Sequence, residues 1–81
     1  MISSIKKDVF YEFEYTNYQN EKEYRKVLVN FAAFGSNEYY LEPQFFLHCS
    51  DYSRGREGTM RTFAIANITP GTFQQCQPSP R

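Results

Sequence analysis

Turn-forming residues recur about every 8 to 12 residues along this chain, and no segment keeps a 3.6-residue apolar period. The runs between the turns are short and rich in Val, Phe and Tyr, which is typical of β-strands. The first run alternates strictly, so Tyr11, Phe13 and Tyr15 share one face. The predicted strands cover 8–15, 24–35, 44–51 and 59–66. The pattern predicts an all-β fold, as a sandwich or as a small barrel that protects its sheet edges.

The connecting segments predict how these strands follow one another. Asn-rich and charged residues at 16–23 indicate a hairpin loop, and the two glycines of 52–58 indicate another. The segment 38–43 is ambiguous, because its proline restricts it to an edge strand or a loop. We therefore predict one domain over residues 1–68, followed by a polar Gln/Pro-rich tail at 69–81 that is extended unless it docks.

The composition favours a protein with a binding surface. Eight Phe and seven Tyr in 81 residues are more than one small core can hide, so many rings must lie at half-exposed positions. Tyrosine suits ligand-binding surfaces and oligomer interfaces, although a solvent-facing sheet lined with Tyr is an alternative. The formal net charge of zero argues against tight, non-specific binding to long nucleic acids. A compact anion held by two or three arginines stays possible.

Cysteine usage and hydropathy indicate a cytoplasmic protein without a cofactor. Cys49 and Cys76 form no Cys-x-x-Cys motif and have no His partners at metal-ligand spacing, so no metal site is expected. The N-terminal residues lack an apolar signal region, and no apolar run approaches about 18 residues. Reduced thiols and no membrane association are the corresponding expectations.

No arrangement of residues predicts an enzyme. His48 and Cys49 are adjacent on a predicted strand and therefore point to opposite faces, which prevents direct activation of the thiol. Glu12 and Glu14 share a face, but no His, Lys or metal ligand accompanies them. We therefore expect a non-enzymatic protein.

The arginines are the stronger candidates for a functional site. Arg54 and Arg56 lie in the loop that leads into Arg61, so a hairpin would bring the three together. Arg25 follows Tyr24 at the start of the second strand. Guanidinium groups beside aromatic rings can hold a phosphate while a base stacks. The alternative is a solvated basic loop balanced by nearby carboxylates.

The order of four short motifs resembles that of WYL domains, over roughly residues 10 to 68. The matching stretches are Phe13-Glu14-Tyr15, Arg25-Lys26-Val27, Phe45-Phe46-Leu47 followed by Asp51, and Arg61-Thr62-Phe63 followed by Ile68. The chain departs from that family in carrying Phe45 and Phe46 where the motif has Trp and Tyr. It also lacks the proline after the Arg-x-Val segment, and no helix-turn-helix is predicted.

The resemblance implies an Sm-like β-barrel of about five strands that binds nucleic acids or nucleotide-type ligands. It places Arg61 at a ligand-facing position, with Tyr15, Arg25 and Phe45 as its companions. A guanidinium on the core-facing side needs an anionic partner, which Glu14, Asp51 or a bound phosphate could supply.

Three hypotheses follow. The first is a homo-oligomeric binder of a nucleotide or short nucleic acid, using Arg61, Arg25 and Arg54 or Arg56; if encoded by a phage, it could sequester a nucleotide signal of host defence. The second is a protein-interaction module that binds or inhibits a partner protein through its tyrosine-rich face. In the third, Arg61 pairs internally with an acidic residue and has a purely structural role.

Overall fold

A computed structural model of the protein describes residues 5–53 and 57–77 and shows an all-β chain with almost no helix. Five antiparallel strands form one sheet in the order β4-β3-β2-β1-β5. A short 3₁₀ helix, Ile65–Asn67, follows β4. The strands are β1 (Phe10–Thr16), β2 (Lys22–Gly35), β3 (Gln44–Asp51), β4 (Thr59–Ala64) and β5 (Gln74–Gln75). The predicted all-β class is confirmed, and residues 36–43 form a loop.

The sheet is curled but not closed. β4 and β5 are its two edges, and no ladder between them is present in the described part of the chain. A single bridge joins Tyr15 of β1 to Ile68, just beyond the 3₁₀ helix, and so draws the two ends of the sheet together. The Sm-like barrel is therefore not confirmed by the strand pairing.

The core lies on the concave face of this sheet. Along β1 the alternation predicted from the sequence is present, because Tyr11, Phe13 and Tyr15 are buried and the residues between them are half-buried. The register pairs Phe13 with Arg25. Paired residues of an antiparallel ladder point to the same side, so Arg25 also lies on the core-facing side.

Part of the segment predicted as a tail belongs to the sheet. β5 pairs with β1, and the Cys76 amide donates to the Phe10 carbonyl oxygen over 3.0 Å. The ring of Phe73 stacks on Tyr11 with centroids 4.6 Å apart. Burial of Phe73 therefore holds β5 against β1.

β2 is longer than the strands beside it. Its pairing with β1 ends at Leu28, and a register shift between Val29 and Phe31 then marks a bulge. Beyond the bulge only β3 accompanies β2, and Phe34 is paired with Phe45 there. The far end of the β2–β3 hairpin consequently extends past the core. No helix in residues 5–53 and 57–77 has the length and apolar character of a membrane-spanning segment.

Candidate functional site

A cleft of about 810 Å³ lies beside the core, between two loops and strand β4. Its volume is within the range usual for small-molecule sites. Tyrosines, two arginines and several carboxylates contribute to its walls. The lining residues are Tyr15, Asn17, Tyr18, Gln19, Glu21, Glu23, Arg25, Asn37, Glu38, Tyr39, Tyr40, His48, Met60, Arg61, Thr62 and Phe63.

Asn17 shapes the first loop of the cleft, which joins β1 to β2. Its side-chain oxygen accepts hydrogen bonds from the amides of Gln19 and Glu21, both at 2.9 Å. Asn20 takes a left-handed conformation with φ 65°, which asparagine tolerates better than most residues. The turn holds Tyr18 at its tip.

Asn37 shapes the second loop in the same way, between β2 and β3. Its side-chain oxygen accepts from the amides of Tyr39 and Tyr40, each at 2.9 Å. The Asn37 amide donates to the Tyr40 carbonyl oxygen over 3.0 Å, which closes the turn. Two asparagine-centred turns therefore present tyrosines toward each other.

Tyr18 and Tyr39 meet where the two loops come together. Their ring centroids are 4.5 Å apart with planes inclined by 39°, and both residues are more than half exposed. A hydrogen bond to the Glu38 carboxylate raises the pKa of Tyr39, while the positive charge of Arg61 acts in the opposite direction. Arg61 lines the same cleft as the two tyrosines. The exposed side of the pair can stack a planar ring.

Tyr15 forms the base of the cleft. Its hydroxyl accepts the Ala64 amide over 2.8 Å and lies 3.2 Å from the Tyr40 hydroxyl. Asn67 donates to the same Tyr40 hydroxyl at 3.3 Å. Burial raises the pKa of Tyr15 strongly, so the phenol is neutral at physiological pH. This network fixes the base of the cleft in one arrangement.

Arg25 is buried among carboxylates. One guanidinium nitrogen, Nη1, donates to Asp51 Oδ2 at 2.9 Å, and the other, Nη2, contacts Glu23. The guanidinium also lies 5.6 Å from the centroid of the Phe63 ring. Its Nε is buried and has no hydrogen-bond partner within residues 5–53 and 57–77. Because two carboxylates already bind it, most of its charge is compensated within the protein.

Arg61 differs from Arg25 in its exposure. The register pairs it with buried Cys49, so it shares the core-facing side, but 41 % of its side chain is accessible. Its Nε lies 4.0 Å from Asp51 Oδ2, at the outer limit of an ion pair. An internal partner for Arg61 is therefore present but distant. The guanidinium retains donors that a ligand could use.

The structure brings together only some of the site residues expected from the sequence. Tyr15, Arg25 and Arg61 line the cleft. Phe45 does not; it is exposed on β3 and its ring packs edge-on against Phe34, with centroids 5.1 Å apart. Arg54 and Arg56 lie outside the described residues.

The two loops that place Tyr18 and Tyr39 in the walls of the cleft were not predicted as part of a site. Asn17-Tyr18 and Asn37-Glu38-Tyr39 each place a tyrosine one or two positions after an asparagine. Asparagine often bonds to backbone amides about two residues on, so the repeated Asn-then-Tyr pattern was the available signal. Only the fold shows that the two loops are neighbours.

His48 and Cys49 are separated as the strand alternation predicted. The His48 ring stacks on Phe31, with centroids 4.4 Å apart, whereas Cys49 is completely buried. Burial, reinforced by the Asp51 charge, raises the pKa of Cys49 to about 12, so its thiol is protonated at neutral pH. Within the described residues, no three His, Cys, Asp or Glu side chains are grouped to hold a metal ion.

Comparisons with protein-family models, curated protein sequences and solved structures gave no significant match. The resemblance to WYL domains therefore stays an expectation based on the sequence motifs.

Proposed function

We propose that the protein is a non-enzymatic binding module that holds a nucleotide-type ligand in the tyrosine-lined cleft. The observation that supports it best is the position of Arg61, a partly exposed guanidinium in the wall of a cleft that carries two exposed tyrosine rings. The base of the ligand stacks on Tyr18 and Tyr39, and its phosphate binds Arg61. The sequence resemblance adds the proposal of an Sm-like fold. If a phage encodes the protein, its role in this proposal is to sequester a nucleotide signal of host defence.

In this proposal Arg61 has a ligand-binding role and Arg25 has a structural role. Arg25 is bound to Asp51 and Glu23, so transferring it to a phosphate would break an ion pair with a fully buried carboxylate. Among residues 5–53 and 57–77, the ion-pair contact of Arg61 is the one with Asp51 at 4.0 Å, and the guanidinium can turn to a ligand at small cost. Arg61 binds the anion, and Arg25 holds the wall of the cleft in place.

We expect Arg61→Ala to weaken nucleotide binding by about tenfold to a hundredfold, because a hydrogen bond to a charged group contributes about 1.5–3 kcal/mol. Isothermal titration of the wild type and the variant with a panel of linear and cyclic nucleotides measures this loss. The matched control is Lys22→Ala, which removes one positive charge from an exposed position of β2 that does not line the cleft.

Two results would contradict the proposal. In the first, no nucleotide of the panel binds to the wild type more tightly than about 1 mM, or about −4 kcal/mol. In the second, Arg61→Ala lowers the melting temperature and leaves binding unchanged, as its purely structural role predicts.

A protein-interaction module is the second candidate, and a specific surface favours it. Phe34 and Phe45 are paired near the end of the β2–β3 hairpin, are 63 % and 45 % exposed, and pack edge-on with ring centroids 5.1 Å apart. We call these two residues the phenylalanine patch. Aromatic residues are enriched at protein interfaces, and adjacent exposed aromatic rings mark interaction surfaces more often than single ones. In this reading the patch, rather than the tyrosines, contacts a second copy of the chain or another protein.

Phe34→Ser is expected to weaken self-association about tenfold or more, because truncation of a central aromatic contact typically costs over 1 kcal/mol. Sedimentation velocity over a range of protein concentrations measures the dissociation constant. Tyr24→Ser, which truncates another exposed aromatic residue away from the patch, serves as the control. A wild type that stays monomeric throughout would exclude a second copy as the partner.

A further inference from the structure

The charges around the cleft limit what kind of nucleotide it can accept. Two of its described lining residues are arginines, and Arg25 is already bound by Asp51 and Glu23. Arg61 is thus the one accessible guanidinium among the described residues of the cleft. A single guanidinium makes a bidentate contact with one phosphate group.

Carboxylates line the same space. Glu21 and Glu38 are exposed, whereas Glu23 is half-buried and paired with Arg25. The Asn17 side-chain amide nitrogen bonds to Glu21 at 3.3 Å and to Glu23 at 3.1 Å, which keeps Glu21 at the β1–β2 loop. Glu21 and Glu38 therefore contribute the negative charge of the cleft that Arg25 does not compensate. A ligand with several phosphates would meet their repulsion once its first phosphate had taken Arg61.

The carboxylates of the cleft can also accept hydrogen bonds from a nucleobase. An ionised carboxylate only accepts hydrogen bonds, and it pairs with N–H donors on the edge of a nucleobase. Glu38 is next to Tyr39 in the chain and interacts with its hydroxyl. A ring stacked on the exposed side of the Tyr18–Tyr39 pair would have its edge close to such an acceptor.

Resting on the proposed function, we infer that the cleft selects a nucleoside monophosphate and discriminates against the corresponding polyphosphate. Arg61 binds the single phosphate, the tyrosine pair stacks the base, and the glutamates accept from its N–H groups. Selectivity comes from repulsion as much as from attraction.

The test compares guanosine, guanosine monophosphate and guanosine triphosphate, because guanine offers N–H donors on its edge. Isothermal titration at constant ionic strength, without divalent cations, gives the three dissociation constants for the full chain. We expect the monophosphate to bind at least about tenfold more tightly than either of the others, a difference of about 1.4 kcal/mol.

Two variants test the cause of the preference. Glu38→Gln removes one negative charge from the cleft and should tighten triphosphate binding several-fold, which narrows the gap to the monophosphate. Glu42→Gln changes an exposed glutamate of the same loop that does not line the cleft, and it should leave the ratio unchanged.

The outcomes separate this inference from the proposed function. If the triphosphate binds as tightly as the monophosphate or more so, and Arg61→Ala abolishes both, nucleotide binding stands and the selectivity is refuted. Cations other than Arg61 would then hold the additional phosphates. If none of the three ligands binds more tightly than about 1 mM, the proposed function fails and the selectivity fails with it.

Discussion

Asp51→Ala is expected to lower the free energy of unfolding by about 3–5 kcal/mol, because it leaves the buried Arg25 guanidinium without its main partner. The Asp51 carboxylate is fully buried and accepts from Arg25 Nη1 at 2.9 Å and from the Ser53 amide at 2.8 Å. Urea denaturation followed by circular dichroism measures the loss. Domains of this size have about 5–15 kcal/mol in total, so the variant should be close to unfolding at 25 °C.

Companion variants keep this prediction testable if Asp51→Ala does not fold. Asp51→Asn removes the charge and retains an acceptor for the Ser53 amide, so a smaller loss is expected. The double variant Arg25→Met with Asp51→Leu should recover much of the stability, since apolar replacements of a buried ion pair are often neutral or better. Glu42→Ala, at an exposed position, should change stability by less than about 0.5 kcal/mol. If Asp51→Ala also lowers the free energy of unfolding by less than about 0.5 kcal/mol, the Arg25–Asp51 ion pair does not stabilise the fold.

Phe13→Ala is the second substitution with a large expected effect, about 3–5 kcal/mol of unfolding free energy. The Phe13 side chain is 1 % exposed at the centre of β1. Its ring lies edge-on to Phe63 at 5.4 Å and stacks on Phe73 at 5.5 Å between centroids. Phe63 lies in β4 and Phe73 in the segment that leads into β5, so two separate parts of the chain would have to move to fill the space. Phe31→Ala, with 53 % of the side chain exposed, is the matched control and should cost much less.

The loss of stability in Phe13→Ala is expected to appear first at the β1–β5 edge of the sheet. Phe73 rests on Phe13 and Tyr11 and carries β5 with it. In Phe13→Ala, hydrogen exchange of the Cys76 amide, which bonds to Phe10 across the β1–β5 edge, should therefore accelerate before that of amides in β3. Equal acceleration at both places would mean that β5 does not depend on this aromatic contact.

Much of the strand pattern could be predicted from the sequence. Alternation along β1 identified its buried face, since a period of two residues depends only on local backbone geometry. The apolar run at 24–35 predicted a strand, and β2 spans Lys22–Gly35. The asparagines of the β1–β2 loop likewise marked a turn. These features depend on residues within one segment.

The candidate site was predicted only in part. Arg61 and Arg25 were both predicted as site residues from the sequence. The sequence could not predict that Arg25 is paired with carboxylates while Arg61 is accessible. Arg25 contacts Asp51, 26 positions away, and this pair leaves Arg25 compensated while Arg61 stays accessible. Phe45 was expected to join them, yet the end of the β2–β3 hairpin beyond the bulge carries it away from the cleft. Charge compensation and bulge position both arise from contacts between strands.

Local periodicity and backbone preference were enough to predict four of the five strands in the described residues, the core-facing residues of β1 and the turn between β1 and β2. Contacts between distant segments are visible only in the tertiary structure: two asparagine turns, 20 residues apart in the chain, place Tyr18 against Tyr39, and Phe73 stacks on Tyr11 where β5 pairs with β1. Such contacts depend on how the sheet curls and on which strands become neighbours. Those are set by the summed burial of many side chains and not by any one segment.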